Sequence, residues 1–183
     1  RDKYRAERDK RVRDDGNDQY LEVKGDFSHY VDDPYVEQGF DRDALTEEVE
    51  VVVIGGGFGG MLAAARLIEQ GITDIKIIEK GGGFGGTWYW NRYPGAPCDI
   101  ESYVYLPMLE ETGLIKQKKY TDAPETLAYC QVLAEKFGLN DLALMQTEVV
   151  STEWDETTRR WTVTTNRQDN LKARYVVHSN GPL

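Results

Sequence analysis

A β-branched run ends abruptly in glycine at Val51-Val52-Val53-Ile54-Gly55-Gly56-Gly57-Phe58-Gly59-Gly60, and nothing else in the 183 residues limits the fold so sharply. Consecutive apolar β-branched side chains suit a strand covered on both faces, the habit of a parallel sheet. The next residues, Met61 to Gln70, show helical spacing with Leu62, Ala65 and Ile68 on one side, and Gly71 sits where a helix would stop. Ile75 to Glu79 reads as a second strand. Strand, helix and strand within about thirty residues make a βαβ unit with a right-handed crossover. Gly55, Gly57 and Gly60 match G-x-G-x-x-G in that setting. Gly55 permits the tight turn, Gly57 admits a pyrophosphate to the backbone, and Gly60 lets helix and strand pack closely. The helix start adds N–H groups and the positive end of a dipole. A purely structural glycine turn would need none of this context.

Glu79 ends the second strand, where a carboxylate can accept hydrogen bonds from both ribose hydroxyls of an adenosine. It would repel a 2′-phosphate, so this site suits FAD or NAD rather than NADP. Gly85-Gly86-Thr87 follows soon after and can cover the same pyrophosphate, while Trp88, Tyr89, Trp90 and Tyr93 offer flat faces to an extended ring system. These two features favour FAD over NAD.

Composition narrows the partners. Lys plus Arg number 22 against 32 Asp plus Glu, and the net charge of −10 suits no phosphate backbone. No apolar run approaches a membrane span, and no apolar signal segment follows Arg1. Two cysteines, Cys98 and Cys130, and two histidines, His29 and His178, are too few for a four-ligand zinc site or a disulfide framework. No metal site is expected, and the setting expected is cytoplasmic.

The chain divides into an N-terminal arm over 1–47 and an α/β domain over 48–183. Residues 1–16 are charged with both signs, as in a solvated helix or mobile arm. From 17 to 46, Phe27, Tyr30, Tyr35 and Phe40 are expected to anchor an extended segment on the larger body. Gly81 to Pro97 is loop-like. Asp122 to Phe137 is a helix with Asp122 as its cap, Glu125 three residues on, and Leu127, Cys130, Leu133, Ala134 and Phe137 along one face. Thr147–Ser151 and Arg160–Thr165 form a hairpin around 155–158, and Ala173–Val177 is another buried strand. Cys98 is expected as a small buried filler and His178 as a satisfied core residue. Arg92 could pair with a phosphate or with Glu101.

The run from Gly85-Gly86-Thr87-Trp88-Tyr89-Trp90-Asn91-Arg92-Tyr93-Pro94-Gly95-Ala96-Pro97-Cys98-Asp99 to Ser102 closely resembles the signature of Baeyer–Villiger monooxygenases, FAD- and NADPH-dependent flavoenzymes. The resemblance extends from Val49 to Leu183. The charged, aromatic N-terminus is similar to that of a subgroup with longer N-termini, some acting on polycyclic ketones. The resemblance implies a Rossmann-type FAD-binding parallel sheet with a β-hairpin insert and an extended arm. It puts Phe58 and its glycines on the pyrophosphate, Glu79 on the ribose, Thr87 to Trp90 along the FAD, and Asp99 and Tyr105 near the flavin end. Val149 would meet the adenine through its backbone, and Pro97, Cys98 and Asp99 would lie near NADP. Asp99 would orient a catalytic Arg supplied from outside this chain. The implied reaction inserts one oxygen atom of O2 beside a ketone carbonyl, giving an ester or lactone through a flavin C4a-peroxide, with NADPH as reductant.

The family's second glycine turn, its F-x-G-x-x-x-H-x-x-x-W fingerprint and its catalytic Arg do not occur after Asp99. The chain is therefore expected to be the N-terminal part of such an enzyme, incomplete against the family's two dinucleotide domains and partnered by the remaining NADP-binding portion. Two other readings stand beside it: a flavin-containing monooxygenase of amines or sulfides, which would share Gly55 to Glu79, and a non-catalytic FAD-binding fragment.

Overall fold

A computed structural model describes residues 1–19, 25–30 and 32–181, without the side chains of Asn17, Phe27 and Tyr30. The anchoring expected of Phe27 and Tyr30 lies outside the described side chains, and Pro182 and Leu183 lie outside the described residues. The chain separates into two compact units, 1–34 and 35–183. In the first unit α1 (Asp2–Asp9) buries no residue. Its charges pair locally, as in Lys10–Glu7, so it is the solvated helix that mixed charge implies.

The second unit is built on one six-stranded sheet. Its strands are β1 (Thr46–Ile54), β2 (Ile75–Ile78), β3 (Ala143–Leu144), β4 (Val149–Asp155), β5 (Arg160–Thr165) and β6 (Asn170–His178). They lie in the order β3-β2-β1-β6-β5-β4. The first four run parallel, and β5 and β4 continue the sheet antiparallel. The hairpin is thus an extension of the sheet edge, and the sheet is mixed. β1 is buried on both faces, as its continuous apolar run requires: Val51 and Val53 face one cluster, Val52 and Ile54 the other.

The first cluster is closed by α2 (Phe58–Glu69) and α6 (Ala123–Lys136). Met61, Ala64 and Ala65 are the buried residues of α2 here, with Leu62 and Ile68 at the flank. From α6 come Tyr129, Cys130, Leu133 and Ala134. Between β2 and α6 the chain makes three short helical turns, α3 (Thr87–Trp90), α4 (Ser102–Tyr105) and α5 (Leu109–Thr112).

Two expectations are corrected. Asp122 occupies the N-cap position of α6 but makes no side-chain cap bond. Its carboxylate pairs with Lys118, and Glu125 pairs with Lys116, so no capping box forms. His178 is exposed, because the apolar pattern of β6 thins out at its C-terminal end. As expected of an anchoring segment, residues 35–47 pack on the larger body through Tyr35 and Phe40, and also through Arg42 and Leu45.

Candidate functional site

The order β3-β2-β1-β6 puts the reversal of strand order between the parallel neighbours β1 and β6, and ligands of open α/β sheets bind at the carboxyl ends of strands at such a switch point. The glycine turn leaves β1 at that place. Gly55 has φ +103°, and a Cβ on it would meet the Ser179 carbonyl oxygen at 2.4 Å. A Cβ on Gly60 would stand 1.8 Å from the Gly55 oxygen, so the turn closes only with glycine at both positions. Gly57 is the N-cap of α2, with no side chain closing the helix end. The first N–H groups of α2 have no partner within the helix, and they supply the donors and dipole that an anion needs.

A second glycine turn presses against the first. Gly85 N–H donates to the Gly56 carbonyl at 3.0 Å. At Gly86, with φ +52°, a Cβ would meet the Gly57 Cα at 2.8 Å. Glu79 lies beneath both turns, 5% exposed. Its Oε2 accepts the Gly56 N–H at 2.5 Å and its Oε1 the Gly81 N–H at 2.6 Å. Gly55, Gly57, Phe58, Gly60, Glu79, Gly86 and Thr87 therefore meet at one place.

Trp88 and Tyr89 are buried rather than presenting open faces, whereas Tyr93 is exposed. The Trp88 indole N–H donates to the Tyr105 hydroxyl at 2.8 Å, and the two rings meet edge to face. Phe58 stands edge-on to Tyr105 at 5.7 Å. Cys98 is buried with Trp88, Ala96 and Ala123, which makes it the apolar filler expected of it. Burial pushes the Tyr105 phenol above its ordinary range; the Trp88 bond opposes this, and the charge of nearby Asp99 adds to it. Asp99 itself is exposed, as is Pro97, which bridges to Asp122. Tyr89 turns away to back the Gly81–Gly83 loop, its hydroxyl accepting the Gly82 N–H, and Trp90 stands edge-on to it. Val149 begins β4 and packs against the cluster that contains Ile54 and Ile78.

Arg92 does not pair with Glu101. Its guanidinium lies 3.7 Å from the centre of the Tyr35 ring and 4.5 Å from that of Tyr89, and Nε donates to the Tyr89 carbonyl. Glu101 pairs with Lys119 instead. Two site neighbours escape the sequence pattern. Ser179 meets Gly55 through its carbonyl and comes within 3.5 Å of where a Gly59 Cβ would be. Arg42, partly buried, pairs with the buried Asp169 across 127 positions. No local spacing signals either.

Residues 53–114 match the family described as NAD(P)-binding Rossmann-like domain. The chain is 48% identical to the Baeyer-Villiger monooxygenase ATR8 of Stachybotrys chlorohalonatus over 98% of its own length and 29% of that protein. It is similar along its whole length to a Baeyer–Villiger monooxygenase. It thus spans about three tenths of the curated Baeyer–Villiger relatives it matches. Among solved structures, the polycyclic ketone monooxygenase of Thermothelomyces thermophila aligns with all of this chain and 32% of its own, at TM-score 0.85 and 36% identity. OTEMO in complex with FAD and NADP aligns with 74% of this chain and 26% of its own, at TM-score 0.69 and 31% identity. Among the described residues no helix is long and apolar enough to cross a membrane, and no cluster could hold a metal ion.

Proposed function

We propose that this chain holds FAD in a Baeyer–Villiger monooxygenase, which inserts one atom of O2 beside a ketone carbonyl. The observation that carries the reading is Glu79, buried under two mutually packed glycine turns at the uncapped start of α2. These residues fit the cofactor. The α2 N–H groups from Phe58 onward and the backbone of Gly57, Gly86 and Thr87 hold the diphosphate. A carboxylate has about four acceptor sites, so Glu79 can bind Gly56, Gly81 and the ribose hydroxyls together. The backbone at Val149 serves the adenine. Trp88, Tyr105 and Phe58, packed with Cys98, form the wall that keeps water from the flavin end, and Tyr89 and Trp90 stiffen the loop behind it.

Bound FAD supplies the transfer of two electrons from NADPH to O2. Ketone, O2, NADPH and a proton give ester or lactone, NADP and water. Asp99 lies on the exposed rim, where it orients an Arg from another part of the enzyme, and Pro97 and Cys98 lie along the NADP side. The partner is the remaining NADP-binding portion, the substrate a bulky ketone, and the location the cytoplasm. The full-length coverage by the polycyclic ketone monooxygenase supports the substrate class. The test is turnover by the full-length enzyme with FAD, NADPH and a polycyclic ketone under labelled O2. An ester carrying one labelled atom is expected. Sulfoxide from a thioether with no ester from any ketone would overturn the reading.

A further inference from the structure

Residues 35–45 run across the back of the site and are pinned there at four points. Tyr35 covers Arg92. Val36 lies so close to Gly82 that a Cβ there would meet its Cγ1 at 2.1 Å. Arg167 lies over the Phe40 ring and donates to the Phe40 carbonyl. The fourth pin is Arg42. Asp169, whose side chain is fully buried, takes both guanidinium nitrogens of Arg42 at 2.6 and 2.5 Å, the Leu45 N–H at 2.9 Å and the Thr165 hydroxyl at 2.6 Å. Arg42 Nη2 also donates to Thr147 Oγ1 at 3.2 Å.

Thr147 joins this cluster to the site. Its N–H donates to the Glu79 carbonyl at 2.9 Å, and the Gln146 N–H donates to the Gly81 carbonyl at 2.9 Å. Segment 146–147 therefore grips the Glu79–Gly81 turn on both sides. From behind, Arg167 Nε donates to the Gln146 carbonyl at 2.6 Å, and Arg42 holds the Thr147 hydroxyl. A buried ion pair is a poor source of stability but a good means of fixing geometry. Arg42 Nε is buried without a hydrogen-bond partner among the described residues, a further cost that a stabilising device would avoid.

We propose that Arg42, seated on Asp169, is a positioning residue for the adenosine end of the dinucleotide site. It acts through Thr147 to hold the Glu79 carboxylate where the ribose hydroxyls meet it. This rests on the FAD reading above. The rigid, planar fork of arginine fits the role, because it can hold Asp169 with two bonds and still reach Thr147.

The test is a double-mutant cycle on FAD affinity in the full-length enzyme, with Thr147→Val, Glu79→Gln and the double variant. Thr147→Val keeps the size and the backbone N–H but removes the hydroxyl, which accepts from Arg42 and donates to the Met145 carbonyl. Its FAD dissociation constant is expected to rise roughly three- to tenfold, the worth of one net hydrogen bond. In the Glu79→Gln background the same change should cost less than about twofold. Arg42→Lys provides a second arm with the same pattern, and Thr147→Val carries the test alone if that variant fails to fold. Full, additive losses in the double variant would overturn the proposal, as would unchanged FAD affinity in Thr147→Val. If the unaltered enzyme takes up no FAD, the functional reading itself fails and this inference with it.

Discussion

At the scale of single residues, the glycine turn is the least forgiving place in the chain. A methyl at Gly60 has no room against the Gly55 oxygen, so Gly60→Ala should destabilise by about 3 kcal/mol, measured by denaturant unfolding. Asp169 gives a pH signature. Burial pushes its carboxyl up, but hydrogen bonds from Arg42, Thr165 and Leu45 outweigh burial and bring it down to about 2, from an ordinary 3.8. The folded carboxyl thus holds its proton less tightly than the unfolded one. Its contribution is complete above pH 3.8 and is lost as pH falls towards 2. Asp169→Asn should cost about 3 kcal/mol at neutral pH and flatten acid unfolding across that window. Burial also pushes the Cys130 thiol up to about 12, so a thiol reagent should label it only as fast as the fold opens. Glycine and Glu79 were legible because their chemistry follows local spacing. Arg42 and Asp169 were not, since a pair 127 positions apart leaves no periodic trace.

At the scale of elements, burial on α6 alternates as a packed helix must. Leu133 is 1% exposed and its neighbour Val132 is 39% exposed. Leu133→Ala should cost about 2–5 kcal/mol, and Val132→Ala should stay within about 0.5 kcal/mol, both read from urea midpoints. The cores of β1 and α6 were visible in their apolar periods, because those periods are imposed by the sheet they cover, whereas on α2 the stripe Leu62, Ala65 and Ile68 lies beside the buried face of Met61, Ala64 and Ala65. The ends were less visible. Asp122 has the residue type and position of a cap, yet Lys118 holds its carboxylate, and a competing charge from a preceding loop cannot be read from spacing. The hairpin's membership of the main sheet was hidden for a similar reason: alternation in β5 describes its two faces but not which strand lies beside it.

At the scale of the whole molecule, the site is assembled from segments that only the complete sheet brings together: the turn after β1, the end of β2, the loop at Gly86 and the end of β6. Ligand binding should therefore stabilise the unit as a whole. FAD at about a hundred times its dissociation constant should add about 2.7 kcal/mol, and Gly57→Val, which fills the approach to the diphosphate, should abolish the rise in unfolding temperature measured by calorimetry. The parallel core was legible from four β-branched residues and five glycines, and Tyr35 and Phe40 were legible as anchors, whereas the groups that receive residues 35–45 were not, because they lie on later loops. That seating has a consequence for biosynthesis. The segment bearing Arg42 leaves the ribosome before any of the sheet, yet its carboxylate acceptor emerges 127 positions later, so during translation an aromatic stretch and its arginine wait unsheltered until the last strand arrives.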